Sequence, residues 1–317
     1  MARVPRAEGL ALMRRIVLEL RALAELWLLP LAVAVLPYRA GIASARVLAR
    51  TLPLYREAAD AGAARWREVV TGGDEDAFRA DFRFAQLVDH ADLFWSLTRS
   101  RAFLRQRLAA PRFDVPCGRP LVVLSFHYGQ GLWLMDALAA QGHPTRYVSI
   151  RLDRAEAPST LAYAYARLRI ATVGRLAGVP PIFTGGARRA IGDALAAGTG
   201  VYGLVDVPVP GGAAGEANAA LLGHPVLLPA GLLESAAGRG ASALVLTSRV
   251  TSAGSRVVEA RSFDRVEDVD IETLASALGD RLAAAPASWH FWHLWRSFAA
   301  RPCGTAPRSG GSSAEAA

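Results

Sequence analysis

The chain of 317 residues contains no lysine, so all 36 of its basic residues are arginine. Cysteine is nearly absent: Cys117 and Cys303 are the only two. That excludes a disulfide framework and a thiolate zinc cluster. No uncharged apolar run reaches the roughly 20 residues that a membrane-spanning helix needs. Apolar residues are nevertheless plentiful at 52%, too many for a disordered chain to leave in water. The length allows one large domain or two small ones. Mean hydropathy is +0.22 and the isoelectric point about 10.2.

With 28 acids the formal charge is +8, which favours an anionic membrane, a nucleic acid or an acidic carrier protein as partner. Alanine, glycine and arginine are abundant throughout, as in a GC-rich coding bias, so a single arginine says little about phosphate binding. The arginines form no clustered stripe and no recognisable nucleic-acid module, so nucleic acid is not an expected partner.

Residues 1–40 read as a basic and apolar anchoring segment. Arg3, Arg6, Arg14 and Arg15 stand against Glu8, and Leu26 to Tyr38 is uncharged for 13 residues but holds Pro30 and Pro37. Glu19, Arg21 and Glu25 interrupt the first half. The expectation is a helix lying in one leaflet, arginines on anionic headgroups and Trp27 and Tyr38 at the interface. An ordinary buried helix, or a signal peptide cleaved near Ala43-Ser44-Ala45, are the alternatives.

Residues 41–118 read as helices packed on a core, with Asp74 starting the longest and aromatics at helical spacing. Residues 119–300 alternate strand and helix. The strands fall in PLVVLSFH, TRYVSIRL, PPIFTGG and TGVYGLVDVPVP, with a hairpin in SALVLTSRVTS and RVVEARSF. HPVLLPAGLLESAAGRG reads as loop and helix, and residues 270–295 as one last long helix carrying His290 and His293. This order predicts a three-layer α/β domain with a mostly parallel sheet. Residues 301–317 read as a disordered tail.

In such a sheet ligands collect at the carboxyl ends of the strands. Four polar features fall there. His127, in SFHYGQG, stands where a strand stops, positioned to act as a general base; Gly129 lets the backbone turn. Arg151 closes the next strand. The glycine turn before Arg188 could offer amides to an anion. Asp206 ends the strand in GLVDVP. Each has a plainer reading as a structural histidine, a turn, a cap or a solvated arginine. No metal-ligand set is visible.

Taken in order, Ser125-Phe126-His127-Tyr128-Gly129-Gln130-Gly131-Leu132, Arg151, Gly186-Ala187-Arg188-Arg189, Gly203-Leu204-Val205-Asp206, Gly223-His224-Pro225 and the segment Pro286 to His293 make the chain resemble the lipid A biosynthesis late acyltransferases, within the glycerolipid acyltransferase superfamily. The resemblance spans about residues 15–298. It implies a glycerol-3-phosphate acyltransferase-like domain at the cytoplasmic face of a bacterial inner membrane. It also implies an O-acyltransferase that moves a fatty acyl group from acyl carrier protein or acyl-CoA to a hydroxyl of a glycolipid or other envelope lipid, without a cofactor. His127 would be the base, Gly129 and Gln130 would offer oxyanion amides, and Arg151 and Arg188 would hold phosphates.

One position departs from the family. An acid five residues after the histidine orients its ring, and here that residue is Leu132. Asp136, one helical turn on, is the first candidate replacement; Gln130 and Asp206 are others. If none serves, the alternative is a catalytically impaired binding or scaffold protein of the same pathway. Thioester hydrolysis, with water as the acceptor, is a weaker third reading.

Overall fold

The computed structural model describes residues 6–70, 72–116, 118–208, 215–251 and 253–298; the expected tail at 301–317 lies outside them. The chain opens with helices: α1 (Arg6–Ala22), a π-helical stretch Leu23–Leu28, α2 (Leu29–Val35), α3 (Tyr38–Thr51), α4 (Arg56–Val69), α5 (Glu75–Thr98) and α6 (Arg101–Leu108). Proline interrupts the helical run of the first 40 residues, as α2 ends before Pro37. Asp74 caps α5 by accepting from the amides of Asp76 and Ala77 at 2.9 and 3.1 Å, which satisfies two of the orphan donors of a helix start.

The α/β part follows as β1 (Leu121–Ser125), α7 (Leu134–Ala140), β2 (Thr145–Ser149), α8 (Thr160–Ala177), β3 (Ile182–Phe183), α9 (Ala187–Ala196), β4 (Gly200–Leu204), β5 (Glu216–Leu221), β6 (His224–Pro229), α10 (Gly231–Ala236), β7 (Ser242–Val250), β8 (Arg256–Phe263), α11 (Ile271–Ala284) and α12 (Trp295–Phe298). Six strands form one sheet in the order β3-β2-β4-β1-β7-β8, parallel except for the β7–β8 hairpin. The α/β class and the mostly parallel sheet therefore stand.

The sheet separates two apolar cores, because neighbouring strand residues point to opposite faces. Val122 and Leu124 face the core built with α9 and α11. Leu121 and Val123 face the one built with α7, α8 and the later half of α5.

Two segments differ from the sequence expectation. The stretch read as a loop before α10 is a two-stranded antiparallel hairpin, β5–β6. Its EANAAL strand is poor in the β-branched and aromatic residues that mark strands. The expected long closing helix stops at Ala284, because Ala285 precedes Pro286 and leaves the helical conformation at φ −155° and ψ 78°. The chain then continues in short 3₁₀ turns, Pro286–Ser288 and Trp292–Leu294. His290 and His293 therefore share no helical face.

A buried ion pair ties the helical segment to the sheet. Arg256 of β8 donates to Asp92 of α5 at 2.9 Å and to the Tyr38 hydroxyl at 3.2 Å. Its guanidinium lies 3.7 Å from the centre of the Trp133 ring, and both charged side chains are fully buried. Removing one partner would leave a buried charge without compensation. Arg256→Leu is expected to lose about 3–5 kcal/mol in chemical unfolding. The apolar pair Asp92→Leu/Arg256→Leu should recover most of that loss.

Candidate active site

The site is assembled by strand pairing. β1 and β4 are parallel neighbours with Ser125 opposite Leu204, and the Val205 amide donates to the Ser125 carbonyl at 2.8 Å. Two residues beyond each strand end, His127 therefore meets Asp206. The His127 Nδ1 lies 2.9 Å from one carboxylate oxygen of Asp206. The other oxygen accepts from the His127 backbone amide at 2.7 Å and from the Trp289 indole N–H at 2.8 Å. A fully buried carboxylate is costly unless it is hydrogen-bonded, and here three N–H groups surround it. Donation from Nδ1 leaves the lone pair of the neutral ring on Nε2.

The segment after α11 closes over this pair. The His290 amide donates to the His127 carbonyl at 2.8 Å, and the Gly129 amide to the Ser288 carbonyl at 2.7 Å. Phe291 stacks on the His127 ring with centroids 3.9 Å apart and planes 22° apart. The His127 side chain keeps 26% of its surface exposed and lines a cavity of about 410 Å³. Phe126, Leu132, Met135, Val173 and Leu204 supply apolar wall.

Several expected roles change. Asp136 does not reach His127. Its buried carboxylate lies 2.8 Å from Arg105 and 3.3 Å from Arg101, on the α6 side. The one-turn spacing from Leu132 carries no weight, because α7 begins only at Leu134. Gly129 sits at φ +63°, where an added Cβ would meet the Ser248 carbonyl at 2.1 Å, so close backbone approach dictates glycine there. The amides of Gly129 and Gln130 are both taken, by the Ser288 and Ser248 carbonyls, and cannot serve an oxyanion in this geometry. The Gln130 side chain is a buried clamp, donating to the Ala85 carbonyl and accepting from the Val250 amide. Arg151 and Arg188 do not line the cavity. Arg188 is exposed, 3.4 Å from Glu234, and Arg151 stands over Phe183.

The cavity also gathers residues that sequence reasoning passed over. Arg169 donates to the Asp89 carboxylate at 2.9 Å. Burial would push the Asp89 carboxyl up, but Arg169 beside it holds it below the usual carboxylate range. His90 approaches the Tyr55 hydroxyl at 3.0 Å. Burial pushes His90 and His290 each down to about 4, so both are neutral near pH 7. The signal available for Asp89 and His90 was a polar pair inside the aromatic run of α5; for Trp289 and Phe291 there was only aromatic density.

The depressed histidines set an acid sensitivity. The unfolded chain takes up their protons below about pH 6.5, whereas the folded chain takes them up only near 4. The stabilisation is therefore complete above 6.5 and falls as pH drops towards 4, by about 1.4 kcal/mol per pH unit for each histidine. Urea unfolding between pH 7 and 4.5 should show this loss, and His290→Leu should flatten the slope. An equal slope in the variant would contradict the assignment.

Compared with known proteins, the chain matches no protein-family model and no curated protein.

Proposed function

We propose that this chain is a membrane-associated O-acyltransferase that moves a fatty acyl group from an acyl carrier protein or CoA thioester to a hydroxyl of a glycolipid or other envelope lipid. The observation that carries the reading is the Asp206-bonded imidazole of His127 lining a largely apolar cavity. In this reaction the acceptor hydroxyl gives its proton to Nε2 of His127 as its oxygen attacks the thioester carbonyl. The carbon–sulfur bond then breaks, and the leaving thiolate takes the proton from the imidazolium. Asp206 holds the ring in the required tautomer and stabilises its positive form, a role analogous to the acid of a hydrolytic triad. The apolar cavity wall suits a fatty chain. The chemistry needs no cofactor.

The membrane part of the reading rests on α1. Leu10, Met13, Val17 and Leu20 are between 58% and 72% exposed, an apolar face that a water-soluble surface rarely shows. Arg14 and Arg15 lie among them. No helix among the described residues is long and apolar enough to cross a membrane. A helix lying on the inner membrane's cytoplasmic face accommodates both facts.

The argument for a catalytically impaired scaffold was the leucine at position 132. A carboxylate on the His127 ring from another strand weakens that argument, so we favour the enzyme.

The test uses labelled dodecanoyl thioesters of acyl carrier protein and of CoA, with vesicles of bacterial lipid extract as acceptor. His127→Ala should abolish transfer, and Asp206→Asn should lower kcat by about three to four orders of magnitude. Asp136→Asn should change stability and leave kcat within about twofold. Wild-type transfer by His127→Ala would overturn the proposal. Label appearing as free fatty acid, with none in lipid, would favour hydrolysis.

A further inference from the structure

Helix α8 separates two concave surfaces. Tyr165, Arg169 and Val173 face the His127 cavity. Tyr163, Arg167, Ile170 and Ala171 recur at helical spacing on another face and, with Arg151 and Phe183, line a separate groove of about 400 Å³. Its floor is apolar, and no acidic residue lines it among the described residues.

The groove is rimmed by guanidinium groups resting on aromatic rings. Arg151 lies 5.6 Å from the centre of the Phe183 ring, and Arg154 and Arg167 lie 5.7 and 5.8 Å from that of Tyr163. Arg151 and Arg167 are exposed, and neither makes an ion pair among the described residues. Two less exposed arginines behave differently: the half-buried Arg169 and the buried Arg256 both face carboxylates. Unpaired guanidinium groups beside an apolar floor suit an amphiphile whose head is a phosphate, which arginine can bind in bidentate fashion.

The position of the groove indicates the source of that amphiphile. The Glu19 carboxylate of α1 accepts from the amides of Thr160 and Leu161 at 2.6 and 3.0 Å. The Trp27 indole donates to the Leu161 carbonyl at 3.1 Å. These bonds seat the end of α1 and the π-helical stretch after it against the first turn of α8, near Tyr163, and leave the apolar face of α1 exposed. The volume is in the range of a small-molecule site, whereas a stable protein partner would need an interface of about 800 Å² on each side.

From this arrangement we infer that the Arg151–Arg167 groove binds an anionic membrane lipid, taking its phosphate-bearing head at the arginines and part of its chain along Ile170 and Ala171. The site is distinct from the His127 cavity and does not depend on acyl transfer taking place.

The test titrates the full chain with dodecyl phosphate below its micelle concentration, by calorimetry. Inorganic phosphate and dodecyl maltoside serve as the head-only and neutral-chain probes. Arg151→Glu/Arg167→Glu reverses the charge, Ala171→Phe fills the floor, and Arg188→Glu controls for general loss of positive charge. Thermal melts report folding, and the two groove variants act by different means, so misfolding of one leaves the other decisive. The expected result is saturable binding of dodecyl phosphate, weakened at least tenfold in each folded groove variant and unchanged in Arg188→Glu. Three results would overturn the inference: unaltered binding in a folded groove variant, inorganic phosphate binding as tightly as dodecyl phosphate, or loss of acyl carrier protein binding in the charge-reversed variant while dodecyl phosphate still binds.

Discussion

A carboxylate with no access to water can persist only where donors surround it, and the candidate site is organised around that requirement. Asp206 is fully buried. Its donors are the His127 ring, the His127 amide and the Trp289 indole. Two come from the end of β1 and one from the segment after α11, so the carboxylate fixes the relative positions of two distant parts of the chain. Satisfying it also orients the imidazole. Stability and the proposed chemistry thus rest on the same hydrogen bonds.

Neighbouring features follow from the closeness of this arrangement. Gly129 passes so near the Ser248 carbonyl that no side chain fits, and Gln130 bridges α5 to the end of β7 through both ends of its amide. These contacts fasten the loop after β1 to its neighbours and take up the amides that the family resemblance assigns to oxyanion binding. On the far side of the cavity, Asp89 and Arg169 pair between α5 and α8, so the cavity wall includes a charged patch within mostly apolar and aromatic surroundings.

Much of the α/β order was legible in the sequence, because short apolar runs ending at His127, Arg151 and Asp206 mark strand ends facing one side of a sheet. What one-dimensional pattern does not carry is which strands are neighbours. With β4 beside β1, Asp206 rather than Asp136 reaches the histidine; chain proximity favoured Asp136, and pairing register decided against it. The β5–β6 hairpin was missed because alanine and proline replace the usual strand formers. The closing helix was overextended because aromatic density outweighed the stop signal of Pro286. The roles of the Gly129 and Gln130 amides could not be read at all, since their acceptors lie more than a hundred residues away in the chain.

The departure at Leu132 thus becomes a question of whether Asp206 has taken over the orientation of the imidazole. The most direct measurement is nitrogen-15 NMR of the His127 ring in the full-length protein, under conditions where the ring is neutral. The account predicts the proton on Nδ1, hydrogen-bonded to Asp206, with an unprotonated Nε2 facing the cavity. A ring whose dominant neutral tautomer carries its proton on Nε2 would contradict it.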